Sequence, residues 1–370
     1  MWADLVLRDE NVLTMNPSQP HAEAIAIKKD RIVKVGTNSE IDQWIGKNTK
    51  IISLKGRTVV PGLIDTHVHV VDFGKFLQWV DLKDAKSIQE LQSRIRKRAQ
   101  RILKGKWIIG HGWNPNSFAE KRYPNLLDLD EASPDNPVVL YHQFRRMCVV
   151  NSKALELAGV TKKTSTLPGG KIDKDPETGK LTGILRENAT NLVWKIIPEP
   201  DEEEMMEAAS LACASIVEAG VTSVHWIVSS STEISIIQRL RVENKLPLRI
   251  YIIVPANLLD NVPCLGSCKG FGDNVVKVGG VMIFADSFLA ARTAALLQPY
   301  SDDPATKGKL LYTQEELNAL VGKVHKANLQ LIIHAMGDQA IDVALTAIQE
   351  TSETSGKNRR CRLEQAAVLN

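Results

Sequence analysis

Along the first sixty residues, hydrophobic and polar positions follow the two-residue period of strands. Residues 3–7 and 22–27 alternate or run apolar, and Lys28-Lys29-Asp30-Arg31 makes a polar turn before the run at 32–36. Further short runs at 50–54 and 58–60 predict more strands, and the one helical hint is a turn at 39–45. Residues 1–60 therefore read as part of a small β-sandwich. From residue 61 the period changes. Helical stretches at 87–103, 201–218, 313–326 and 338–350 alternate with strand-like runs at 106–110, 221–225 and 329–334. Ser87 with Glu90, and Thr313 with Glu316, have the spacing of capping boxes, while Asp201 and Gly220 bracket the second helix. Strand, helix, strand at this spacing predicts parallel βαβ units. Residues 111–200 break the rhythm with Pro168-Gly169-Gly170 and Asp173-Lys174-Asp175-Pro176, and read as a long insertion with small elements of its own. The barrel strands number about six, against the eight of a closed barrel.

Composition narrows the class. The chain has 370 residues, with 46 Lys and Arg against 43 Asp and Glu, a net charge of +3. That balance gives no electrostatic reason to expect nucleic acid as a partner. Hydrophobic residues at 44% with 24% charged describe a folded chain rather than a disordered one. No apolar run approaches the roughly 18 residues of a membrane helix, so no membrane partner is expected. The opening MWADLVLRDE lacks a signal-peptide core. Five scattered cysteines, at 148, 213, 264, 268 and 361, point to a reducing compartment, the cytoplasm. Cys264 and Cys268 have no second pair to complete a zinc site.

The chemistry concentrates in Val59-Val60-Pro61-Gly62-Leu63-Ile64-Asp65-Thr66-His67-Val68-His69. His67 and His69 are two apart on an apolar strand, so both rings leave the same face. Two converging imidazoles suit a divalent metal. This string resembles the amidohydrolase superfamily, in particular the branch of N-substituted-formamide deformylases and related metal-dependent hydrolases. The resemblance runs from about residue 3 to 370. It extends through Gly112-Trp113, Ser133-Pro134-Asp135, Asn151-Ser152, residues 182–187, Gly220-Val221-Thr222, residues 293–300 and His334-Ala335-Met336-Gly337-Asp338.

The resemblance implies an α/β fold: a TIM-like (β/α)8 barrel over 61–370, with a β-sandwich to which residues 1–60 contribute. Members of the family are usually longer, so the barrel is expected to be incomplete at the C-terminus. It places metal ligands at His67, His69 and His334, and implies hydrolysis of C–N bonds in amides or formamides, on a small-molecule substrate. A homodimer is the assembly expected. Four departures stand out. Met282 occupies the position of a bridging lysine, Gln365 and Arg146 replace histidines, and the final-strand aspartate falls beyond residue 370. With three histidines left, one zinc per chain is expected. Asp286, four residues from Met282 on the same strand face, is the candidate stand-in for the general base. Asp338 is expected to cap the helix that follows it. Trp113 has two readings, packing or substrate contact. Arg186 has two as well, substrate contact or an ion pair. His111 and His142 lie in or beside the insertion, as exposed loop histidines or pocket wall. Two rival functions remain from the departures: a degenerate, non-catalytic binding or assembly module, and an N-terminal piece of a longer enzyme.

Overall fold

The computed structural model describes residues 2–165, 168–259, 272–353 and 360–369. Cys264 and Cys268 lie outside the described residues. The N-terminal strands form two small sheets. The four-stranded sheet runs in the order Arg31–Gly36, Ala24–Lys28, Leu5–Arg8, Lys50–Ser53. The three-stranded sheet joins His21–Ala22, Asn11–Leu13 and Thr58–Val59. Strand alternation sends Val6, Ala24 and Ala26 to one face, where they pack with Ile41 of the helix Asn38–Asp42.

The main sheet has six strands, each parallel to its neighbours and in chain order: Leu63–Val68, Val221–Ile227, Arg249–Pro255, Val276–Phe284, Gln330–His334 and Arg362–Glu364. Helices on its outer face include Glu202–Glu218, Ser231–Val242, Gln314–Lys326 and Asp338–Glu353. The two-residue period sorts the strand side chains cleanly. Trp226, Ile252, Val281, Ile283, Leu331 and Ile333 pack outward against the helices. Ile227, Ile253, Met282 and Ile332 pack together on the other face, inside the curl. The curl brings the two edge strands within reach: Arg362 Nη2 donates to the Thr66 carbonyl at 2.9 Å. The protein is thus α/β with a curled, parallel half-barrel sheet.

The strand at Ile108–Trp113 is not in that sheet. It belongs to a second, mixed sheet ordered Gly170–Lys174, Leu181–Glu187, Met147–Val150, Val138–His142, Ile108–Trp113, Val80–Asp81. The segment that departs from the barrel therefore starts at Val80, ahead of residue 111. An apolar run fixes a strand but not its partner, and parallel pairing is set by contacts distant in sequence.

The helix Val70–Gln78 follows the first barrel strand and lies against Glu202–Glu218. A Cβ on Gly74 would sit 1.9 Å from the Ala208 carbonyl oxygen, so only glycine allows this approach of two backbones. That packing sets where the chain leaves His69.

Candidate metal centre

His67 is the last residue but one of the first barrel strand, Leu63–Val68, and His69 precedes the helix Val70–Gln78. Their ring centroids are 5.8 Å apart at an interplanar angle of 73°. Asp65 Oδ1 accepts the His67 backbone N–H at 3.0 Å, which fixes the turn out of the strand. His67 Nδ1 lies 2.9 Å from Glu364 Oε2 on the sixth strand. A carboxylate on one imidazole nitrogen fixes the tautomer and presents the other nitrogen to an ion. Glu364 is held by Arg362. Arg362 Nη1 in turn lies 2.7 Å from His225 Nδ1. A guanidinium only donates, so His225 Nδ1 accepts and the ring stays neutral. The His225 ring lies 4.5 Å from that of Tyr251, whose hydroxyl donates to Gln330 Oε1 at 3.0 Å. Polar groups thus link the first strand to the fifth across the lumen.

His334 stands at the end of the fifth strand but makes a different set of contacts. It is only 2% exposed, and its Nε2 is 3.2 Å from the Ser287 carbonyl oxygen. Phe284 and Phe288 flank it, with centroids at 4.9 and 5.6 Å. Among the described residues, no three His, Cys, Asp or Glu side chains converge in a set that holds an ion. His67 and His69 offer two imidazoles, with Glu364 orienting His67, and no third such side chain among the described residues completes the set; further into the lumen the neighbours are Ile227, Ile253, Met282 and Ile332, which offer no ligand suited to a hard divalent ion.

The remaining sequence candidates fall in varied places. Asp286 is fully buried, and its carboxylate accepts the backbone N–H groups of Ala295, Met336 and Gly337 at 2.9, 2.9 and 2.8 Å. Those donors occupy its oxygens and tie two loops together, a poor arrangement for a general base. Asp338 is the first residue of its helix rather than the one before it, and its Oδ1 accepts the N–H groups of the adjacent Gln339 and of the distant Leu297, which ties the helix start to that loop instead of capping the first turn. Trp113 is fully buried, and its indole N–H donates to the Leu140 carbonyl, so packing is its role and substrate contact is not. Arg186 pairs with Asp173 at 2.7 Å and stacks over Tyr123; its ion-pair reading is the one the geometry favours, with Asp173 as partner. Arg146 is exposed and bonds Glu187. Gln365 is exposed and sits at φ 71°. Glu364, Arg362 and His225 escaped the sequence reading. The signal was present: Arg362 and Glu364 are two apart on a strand, the spacing that marks His67 and His69 in the sequence.

Burial, above all, holds His111, His142 and His225 below the ordinary histidine value; Lys83 and Arg145 add to this at His111, Arg186 at His142 and Arg362 at His225. As pH falls below about 6.5, the unfolded chain takes up protons that these folded rings refuse. Stability is therefore intact above that pH and lost on acidification, by up to ~1.4 kcal/mol per pH unit for each ring. Urea unfolding of metal-free protein at pH 7.5 and 5.5 checks this. Equal midpoints at the two values would contradict it.

The chain belongs to the amidohydrolase family, whose model matches residues 50–370. It is similar to the putative amidohydrolase YtcJ of Bacillus subtilis (strain 168), 31% identical over 364 residues, covering 97% of this chain and 68% of that one. It is similar to the N-substituted formamide deformylase of Arthrobacter pascens, 27% identical over 377 residues, covering 99% of this chain and 69% of that one. A crystal structure of an uncharacterized metal-dependent hydrolase from Pyrococcus horikoshii OT3 superposes with a TM-score of 0.74 at 30% identity, over 99% of this chain and 71% of the other. That likeness makes the curled sheet part of a TIM-like barrel. The chain spans 65 to 69% of the length of three curated relatives that it matches over nearly its whole extent.

Proposed function

We propose that this chain belongs to a hydrolase that cleaves C–N bonds of amides or formamides with the help of one divalent metal, zinc. The observation that carries the reading is the His67–His69 pair at the end of a barrel strand, with Glu364 on His67 Nδ1. The likeness to a formamide deformylase supports the bond class. His67 and His69 would hold the ion, and His334 would have to release the Ser287 carbonyl to join them as a third imidazole. When bound, the ion supplies Lewis acidity toward a carbonyl and toward water. The chain's own residues do the rest. Glu364 orients His67, Arg362 holds Glu364, and the lumen isoleucines exclude water beneath the pair. Asp286 is a positioning residue in this scheme, because its oxygens are committed to backbone donors. A sandwich formed with the two N-terminal sheets, a barrel continued beyond six strands, a cytoplasmic location and a homodimer belong to the same proposal.

One observation favours a second reading. Met282 stands in the lumen among Ile227, Ile253 and Ile332, where a metal-bridging group would need polar surroundings. A non-catalytic binding module of the same fold accounts for that. Elemental analysis of purified, folded protein separates the two. The hydrolase reading expects roughly one zinc per chain, lost in the His67→Ala/His69→Ala variant, and hydrolysis of N-substituted formamides by the loaded protein. Metal at background level in folded protein would sink that reading and leave the binding module.

A further inference from the structure

A cavity of about 540 Å³ lies where the helix Val70–Gln78 meets the second sheet, and the proposed chemistry makes no use of it. Its wall includes Phe76, Lys83, His111, His142, Phe144 and Arg145. One side is aromatic. Phe76 stacks on His111 with centroids 4.4 Å apart, and behind them Trp79 stacks on Tyr141 at 6.2 Å. The other feature is charge. The Arg145 guanidinium lies 5.4 Å from the Phe76 centroid and 5.6 Å from that of Trp79, held on two ring faces. Among the described residues, the side chains of Arg145 and Lys83 have no carboxylate partner. Asp81 accepts the Lys83 backbone N–H rather than its ammonium.

Two local backbone features shape this wall. Arg145 sits at φ 56° in the turn that joins the antiparallel strands Val138–His142 and Met147–Val150, where its N–H donates to the His142 carbonyl at 2.8 Å. The strand Ile108–Trp113 shifts register between His111 and Trp113, at Gly112 with φ 93°. A Cβ there would lie 2.6 Å from Lys83 Cγ, so glycine is needed to let the lysine pass. Bulges of this kind re-aim side chains. Among the described residues, Lys83 and Arg145 stand against one carboxylate beside this wall, Asp81, which pairs with His111 across the sheet, so two cations face one anion beside aromatic faces and neutral histidines, and the cavity keeps a net positive, partly apolar character.

We propose that this cavity binds a small planar anion, an aromatic carboxylate, with its ring against the aromatic wall and its charge met by Lys83 and Arg145. The helix that starts at His69 carries Phe76 into the wall, so the site suits the non-reacting, anionic part of a substrate. That role rests on the hydrolase reading; the binding does not.

The test titrates benzoate, benzamide and inorganic sulfate into metal-free full chain, reading the tryptophan fluorescence of the Trp79 cluster. Benzoate is expected to saturate, with benzamide and sulfate each at least about tenfold weaker, the factor that corresponds to ~1.4 kcal/mol. Lys83→Gln and Arg145→Gln are each expected to weaken benzoate about five- to tenfold at unchanged circular dichroism, and to leave benzamide unaffected. The His67→Ala/His69→Ala variant is expected to bind benzoate as the parent does, so failure of the metal site leaves this result standing. Absence of saturable benzoate binding, equal affinity for benzoate and benzamide, or sulfate binding as tightly as benzoate overturns the proposal. So does parent-like benzoate affinity in both cation variants.

Discussion

Replacing Asp286 with alanine is expected to destabilise the fold by about 3–6 kcal/mol. The carboxylate is fully buried and takes three backbone N–H groups, from Ala295, Met336 and Gly337. Each donor left without an acceptor costs ~1–3 kcal/mol, and water entering the vacated space offsets part of the sum. Asp286→Asn keeps one acceptor oxygen but turns an amide N–H₂ toward the remaining donors, so about half the loss is expected. Urea unfolding of the two variants beside the parent gives the values. A change within ±0.5 kcal/mol for the alanine variant would mean that the loops hold themselves. The substitution also reads on function. His334 Nε2 lies 3.9 Å from Asp286 Oδ1, and Met336 and Gly337 stand two and three residues after His334. Loosening that loop is expected to lower metal content at low zinc concentration even though Asp286 is not placed as a ligand.

Local signals were read well from the sequence because their causes are local. Thr313 with Glu316 forms the reciprocal bonds of a capping box, while at Ser87 only one half forms, because the Glu90 carboxylate takes the Lys86 N–H instead, and both helices start where those residues stand. His67 lies in its strand, but His69 stands just past the strand end, before the helix Val70–Gln78, so the two-residue period covers the first ring only, and the 5.8 Å neighbourhood of the two rings follows from the turn between strand and helix. What the sequence hid depends on distance along the chain. Residues 106–110 read as a strand and 108–110 lie in one, Ile108–Trp113, yet it pairs with Val138–His142 and Val80–Asp81 rather than with a barrel strand. The Glu364 contact to His67 joins residues 297 apart, and no window reveals it. His334 shows a third limit. Its strand-end position was legible, but the direction of its ring follows from the Ser287 carbonyl and two phenylalanines that its own strand does not contain. Trp113 kept two readings for the same reason: a motif position does not say whether an indole faces a pocket or the Leu140 carbonyl.

Met282→Lys is the substitution that asks what the lumen tolerates. Met282 is 1% exposed and packs against Ile227, Ile253 and Ile332. An ammonium there has no partner and must either be desolvated or give up its proton. The variant is expected to be about 3–5 kcal/mol less stable than the parent at pH 7, against less than about 1.5 kcal/mol for Met282→Leu, which conserves volume. The pH dependence identifies the cause. Burial lowers a lysine below its ordinary value of ~10.4, so between the folded and unfolded values the unfolded chain binds the extra proton. Stability then rises with pH, and the deficit is expected to narrow by up to ~1.4 kcal/mol per pH unit as pH approaches 10. A deficit independent of pH would point to misfit of shape instead of charge. A lysine variant as stable as the parent at pH 7 would mean that the lumen is wet or holds a counter-ion. In that event Met282 closes off a site that a single residue change reopens, and the case for a non-catalytic module, which rests on this apolar cluster, is lost.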